Sequence, residues 1–155
     1  MEVRGVDRLI CEHPMFAGMM PEHCELIGGC AKNVRFDQGA YLFQEGGAAD
    51  EFFLVRHGRV ALEIVAPGRG PLRFSTVNSG EIAGEAWLIP PYRWLYDARA
   101  LELTRAVSID ARCLREKADE NHDFGYEMMK RFMAMLVQRL HAAQLQMLDV
   151  YGSVA

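Results

Sequence analysis

The sequence predicts a mainly β fold with flanking helices (α+β): a double-stranded β-helix, or jelly roll, with short N-terminal helices and a long C-terminal helix. Three observations carry this. Between residues 32 and 110 apolar residues recur with period two and a turn signal follows nearly every strand-length run, the pattern of an antiparallel sandwich or roll. Ahead of it, residues 1–31 are punctuated by Pro14 and Pro21 and read as short helices. After residue 110 the period becomes helical and stays so to about residue 151.

Pro21 suits a first helical position with Glu22 behind it, and Gly28-Gly29 ends that helix. Val34 and Phe36 alternate with polar neighbours before the turn Asp37-Gln38-Gly39, and Tyr41-Leu42-Phe43 follows. Glu51–Val55 reads as a buried strand, His57-Gly58 as a tight turn, and Val60, Leu62 and Ile64 as one inward face. Pro67–Pro71 forms the next loop, then Leu72, Phe74, Thr76 and Val77. Residues 78–94 break the rhythm, and strands resume over 95–101 and 104–109. A short helix is expected over 111–121 and a longer one over 124–150, with Phe124, Met128 and Phe132 on the roll. Met129, Met133, Leu136, Leu140, Ala143, Met147 and Val150 form an a/d seam along that helix, which predicts a homodimer. One domain spanning 1–155 is expected, divided into N-terminal helices (1–31), roll (32–110) and C-terminal helices (111–151).

Half of the 155 residues are apolar, a quarter are charged, and the net charge is −4. Such a balance gives no overall attraction to nucleic acid or anionic membrane. The N-terminus has no secretory apolar region and no run long enough to span a bilayer, so a cytoplasmic protein is expected. Cys11, Cys24, Cys30 and Cys113 form no Cys-x-x-Cys pair and are expected as reduced thiols rather than as iron–sulfur ligands. His13, His23, His57, His122 and His141 are scattered without metalloprotease spacing. Glu81 and Glu85 stand four apart with no nucleophile or metal cluster nearby, so an enzyme is not expected.

The interruption offers the best ligand chemistry. Gly80 and Gly84 allow close backbone approach, and Ile82–Ile89 reads as one or two helical turns entered at Gly80-Glu81. The N-terminus of such a helix would present free amides to phosphate, with Arg93 or Arg99 supplying a guanidinium. Trp87, Tyr92 and Trp94 are candidates either to line a nucleotide or to cap the roll.

Three stretches carry a family resemblance: Gly46–Val55, Gly58-Arg59-Val60-Ala61-Leu62 and Gly80-Glu81-Ile82-Ala83. In that order, followed by a long helix, they resemble the cyclic nucleotide-binding domain of catabolite-activator-type regulators and of the cAMP-dependent kinase regulatory subunit. The resemblance runs from about Phe16 to Gln144. It implies a phosphate-binding cassette in which Glu81 takes a ribose hydroxyl and the amides of Gly80, Ile82 and Ala83 approach the phosphate. It also implies Gln144 as the base contact from the final helix. The family closes the cassette with Pro-Arg-small-small; here the run is Pro90-Pro91-Tyr92-Arg93-Trp94-Leu95, with Trp94 at the arginine's place and Arg93 one residue out of register. Either an insertion lets Arg93 point inward, or the pocket is rebuilt around Trp87, Tyr92 and Trp94.

The resemblance implies a stand-alone regulatory or sensor module for cAMP, cGMP or another phosphorylated nucleotide, acting through a partner protein. With Ala155 ending the sequence, no helix-turn-helix is expected. The alternative is an accessory subunit of a larger enzyme, such as a soluble NAD-linked hydrogenase, with a degenerate or repurposed pocket.

Overall fold

The computed structural model describes residues 2–152; Met1 and residues 153–155, part of the domain expected over 1–155, lie outside the described residues. The chain opens with α1 (Glu2–Glu12), a 3-10 turn (Pro14–Phe16) and α2 (Pro21–Gly28). Pro21 occupies the first turn of α2, where its missing N–H costs nothing, and the Gly29 amide closes the other end on Glu25 and Ile27.

Eight strands follow: β1 (Ala31–Phe36), β2 (Tyr41–Phe43), β3 (Glu51–His57), β4 (Val60–Ala66), β5 (Gly70–Val77), β6 (Ile82–Ala83), β7 (Asp97–Ala100) and β8 (Thr104–Asp110). They form two antiparallel sheets, ordered β1-β8-β3-β6 and β2-β7-β4-β5. The turn between β3 and β4 needs a residue without a side chain. Gly58 has φ +100°, and a Cβ there would meet the Thr104 hydroxyl and the Leu103 carbonyl.

The alternation expected for β4 changes phase. Val60, Ala61, Leu62 and Glu63 are all buried, whereas Ile64 and Val65 are exposed. The register with β5 shifts between Leu62 and Glu63, and a bulge there flips which side chains face inward. The expected helix over 82–89 is absent as well. Ile82–Ala83 instead pairs with β3, and only Ala86–Leu88 turns, as 3-10 helix. Gly80 (φ +87°) and Gly84 (φ +106°) bend the chain before a helix can propagate.

Helix α3 (Ala111–Glu120) begins where the Asp110 carboxylate accepts the Cys113 amide. Helix α4 (His122–Gly152) follows, its start capped by Asn121 Oδ1, which accepts the Phe124 amide. Phe124, Met128 and Phe132 are fully buried. The Phe132 ring stands edge-on to Phe52 at 5.3 Å and to Trp87 at 5.2 Å, and those two stack at 4.7 Å. Each such side chain contributes about 1.5–3 kcal/mol through burial, which fixes the first half of α4 on the roll. No helix among the described residues is long and apolar enough to cross a membrane.

The cysteines depart from expectation. All four are paired, Cys11 with Cys24 and Cys30 with Cys113, with Cα separations of 5.7 and 5.8 Å. The pairing follows from topology. Helices α1 and α2 pack together, while the β1–β8 register, Ala31 opposite Ile109, brings Cys30 next to the start of α3. Cys24 and Cys30 therefore belong to separate bridges and not to a cluster.

Candidate ligand-binding site

The segment closing the cassette sets the site's geometry. Tyr92 is left-handed, with φ +55°, and beyond it Arg93 bridges Ala48: Ala49 N–H donates to the Tyr92 carbonyl (2.7 Å), Trp94 N–H to Gly47 (2.9 Å) and Gly46 N–H to Trp94 (2.8 Å). Extended backbone sends alternate side chains to opposite faces. Trp94 and Tyr96 therefore go inward and are buried, while Arg93 and Leu95 go outward, Leu95 being 74% exposed.

This settles where the expected ligand residues lie. The exposed Arg93 approaches the Gly46 carbonyl at 3.5 Å and does not face the Gly80–Ala83 segment. The Trp94 indole stacks on Phe43 at 3.8 Å, and a Cβ on Gly84 would come within 2.6 Å of its ring. It is a filler of the roll and not a free wall. Arg99, beside Ala61 of β4, donates twice to Glu63 at 2.8 and 2.9 Å. Hydrogen bonding from Arg99 holds the Glu63 carboxyl below the usual carboxylate range despite its burial, and Glu63 raises Arg99 in turn. That guanidinium is committed to the sheet. Gln144 lies exposed on α4, outside the cavities described next.

Nor do the cassette amides form a free nest. Gly80 N–H donates to the Val55 carbonyl and Glu81 N–H to Asn78. The Glu81 carboxylate accepts the Asn78 amide at 2.8 Å, closing its own turn while lying at the cavity wall. Gly80, Glu81 and Ile82 line that cavity; Ala83 is buried in β6.

The cavity, about 500 Å³, lies between the roll and α4, with Ser75, Thr76, Glu81, Arg131, Gln138 and Arg139 as its polar wall. A second, of about 310 Å³, is lined by Leu62, Phe74, Glu85, Tyr96, Leu136 and Ala143. Ser75, Arg139 and Ala142 line both. Between them Arg139 Nη1 donates to Glu85 Oε2 at 3.0 Å and Nη2 donates to the Ile82 carbonyl. Tyr96 Oη donates to the same Glu85 oxygen at 2.7 Å. Burial, and then the Glu85 charge, raise the Tyr96 pKa strongly, so the phenol remains a donor. A span of either size range accommodates small ligands.

Sequence reasoning missed Arg139 and Tyr96 as site residues and weighed Glu85 only as half of an acid/base pair. A signal for Arg139 existed. The roll-facing stripe Phe124, Met128, Phe132 continues at helical spacing through Met135 to Arg139, and a charge in such a stripe must find a partner across the interface.

Comparisons with known proteins agree with this architecture. The family model "Cyclic nucleotide-binding domain" matches residues 33–121, more than half of the chain. A CRP-like cAMP-activated global transcriptional regulator of Mycobacterium tuberculosis is 24% identical over 152 residues, covering 97% of this chain and 67% of the regulator. The HTH-type transcriptional regulator Cmr of the same organism is 23% identical, and the match covers 87% of this chain and 54% of that protein. Among solved structures, a cyclic nucleotide-binding domain from Methylobacillus flagellatus superposes with TM-score 0.78 at 17% identity over 96% of this chain and 83% of that one. The regulatory domain of Toxoplasma gondii PKA, solved with cAMP, gives 0.66 at 18% identity over 74% of this chain and 44% of that one. The antiparallel sheets and the long closing helix agree with the family match: this chain belongs to the cyclic nucleotide-binding domain family.

Proposed function

We propose that this chain is a regulatory module that takes a phosphorylated ligand, with cAMP and cGMP the first candidates, between the roll and α4, and signals to a partner protein from the cytoplasm. The observation that carries the reading is the position of Arg139. It stands on α4, faces the cassette, and is held by Glu85 and the Ile82 carbonyl. An anionic ligand that enters beside Gly80–Ile82 and reaches past Ala142 competes for that guanidinium and thereby changes how α4 sits on the roll, which is a differential contact between two states. Ser75, Thr76 and Gln138 supply neutral polar contacts on the same wall.

The module acts as a homodimer through α4, where Met129, Met133, Leu140, Met147 and Val150 of the expected seam are exposed, whereas Leu136 and Ala143 of that seam line the second cavity; the exposed apolar residues invite association. Its net charge of −4 favours a protein partner over nucleic acid or anionic membrane, and its role is regulatory rather than catalytic. Calorimetric titration with cAMP and cGMP tests the ligand; silence at millimolar concentration excludes both. Sedimentation of wild type against Leu140→Lys tests the dimer, and identical masses refute it.

A second reading is favoured by Trp94. With the indole buried at the arginine's place, the pocket lacks the usual phosphate clamp, and the chain then serves as an accessory subunit of a larger enzyme, a redox enzyme among the candidates. Affinity capture from the native host recovers that enzyme in stoichiometric amount on this reading, and recovery without a larger enzyme refutes it.

A further inference from the structure

Two disulfides staple the helical elements, and their surroundings differ. Cys11–Cys24 joins α1 to α2, with Cys24 buried and Cys11 half-buried, as Cys113 is, but neither Cys11 nor Cys24 lines the cleft beside the other bridge. Cys30–Cys113 joins the residue preceding β1 to the first turn of α3, and it lies in a cleft of about 410 Å³ that also includes Gly29, Lys32, Asp50, Glu51, Ser108 and Asp110. The carboxylates there are already engaged. Asp50 pairs with Arg112 and Arg115, Glu51 accepts the Ser108 hydroxyl, and Asp110 caps α3. Of the two sulfurs, Cys113 belongs to the less buried residue.

Helix α3 is what this bridge restrains, and α3 reaches the ligand-site loop. Arg115 Nη1 donates to the carbonyls of Trp87 (2.7 Å) and Ala49 (3.3 Å), and its guanidinium lies 4.1 Å from the Tyr92 ring centre. Lys117 donates to the Leu26 carbonyl at the end of α2. Opening the bridge therefore loosens an element that holds the cassette from behind, by contacts distinct from the cavity wall.

We infer that Cys30–Cys113 is a thiol–disulfide exchange site, opened by a dithiol reductant, that releases α3 while Cys11–Cys24 stays closed. The reductant's thiolate attacks Cys113 Sγ, forming a mixed disulfide, and Cys30 leaves as a thiolate that takes up a proton. The reductant's second thiol, deprotonated, then attacks its own sulfur in the mixed disulfide. Cys113 leaves as a thiolate, and the reductant becomes a cyclic disulfide: one dithiol is oxidised and one protein disulfide reduced. Departure of Cys113 is favoured because its charge develops in the first turn of α3, at the positive end of the helix dipole.

The test is a titration of the folded, full-length protein with dithiothreitol, trapping thiols with iodoacetamide and mapping them by mass spectrometry. Cys30 and Cys113 become alkylated at a dithiothreitol concentration about tenfold or more below that needed for Cys11 and Cys24. Amide hydrogen exchange then speeds up in 111–120 but not in α1, and the Cys30→Ser/Cys113→Ser protein shows the same pattern without reductant. Simultaneous alkylation of all four cysteines, earlier alkylation of Cys11 and Cys24, or unchanged exchange in α3 overturns the inference. The alkylation order requires no variant and no nucleotide, so it is independent of whether the cavity binds a ligand.

Discussion

Replacing Trp94 with alanine removes the indole that lies between Phe43 and the backbone of Gly84 and is only 3% exposed. A tryptophan of this kind buries about 150–250 Å², worth about 4–6 kcal/mol at about 25 cal/mol per Å². Stacking on Phe43 adds about 0.5–1.5 kcal/mol, while partial collapse of the site returns some of the loss, so a cost of about 3–5 kcal/mol is expected. In a chain of 155 residues each kcal/mol moves the midpoint by roughly 2–4 °C, which gives a drop of roughly 6–20 °C. Thermal unfolding followed by circular dichroism reads this directly, with urea titration giving the free energy. Indole added to the variant restores part of the midpoint by refilling an apolar hole. A drop under about 2 °C, without response to indole, means that the ring does not fill the roll; the account of the missing phosphate clamp then fails with it.

The Glu85–Arg139 pair is about a quarter exposed on each side, between the surface and buried regimes, so a Glu85→Gln/Arg139→Met cycle in urea should give a coupling of about 1–2 kcal/mol. A coupling indistinguishable from zero removes the argument that this contact holds α4 to the cassette. Burial lowers the His13 pKa from 6.5, opposed by the Val55 carbonyl, so the unfolded chain binds the extra proton. Stability is therefore fully present above about pH 6.5 and declines as pH falls toward the lowered folded value. His13→Asn, whose side-chain oxygen can still accept the Met15 amide as His13 Nδ1 does, flattens that decline; an unchanged slope refutes the assignment. The bridge spanning 83 residues restrains the unfolded chain more than the one spanning 13, by about 4.5 against about 3 kcal/mol in the chain-entropy description. Serine replacement of Cys30 and Cys113 is thus the more destabilising of the two double substitutions, and the reverse order in denaturant titration contradicts it.

The roll was legible because its period-two runs, its turn residues and the helical stripe of Phe124, Met128 and Phe132 agree with one another. What was not legible depended on pairing between distant segments. The bulge at Leu62–Glu63 that buries Glu63 and exposes Ile64 is a register event with no local signal. The cysteine pairs likewise needed β1 beside β8 before their proximity could be known. The direction of Arg93 also depended on distant pairing: it follows from the bridge of Arg93 to Ala48 just after the left-handed Tyr92, and spacing along the sequence left both orientations open.

The partition of the cleft by Arg139 makes ligand length a variable of its own. A compact anion can occupy the larger chamber of about 500 Å³ with the guanidinium still on Glu85. A molecule reaching past Ala142 into the smaller chamber of about 310 Å³ must first swing that side chain aside. On the proposed function, occupancy and movement of α4 are then separable: short ligands would fill the module silently, and only those long enough to cross the divide would shift the helix.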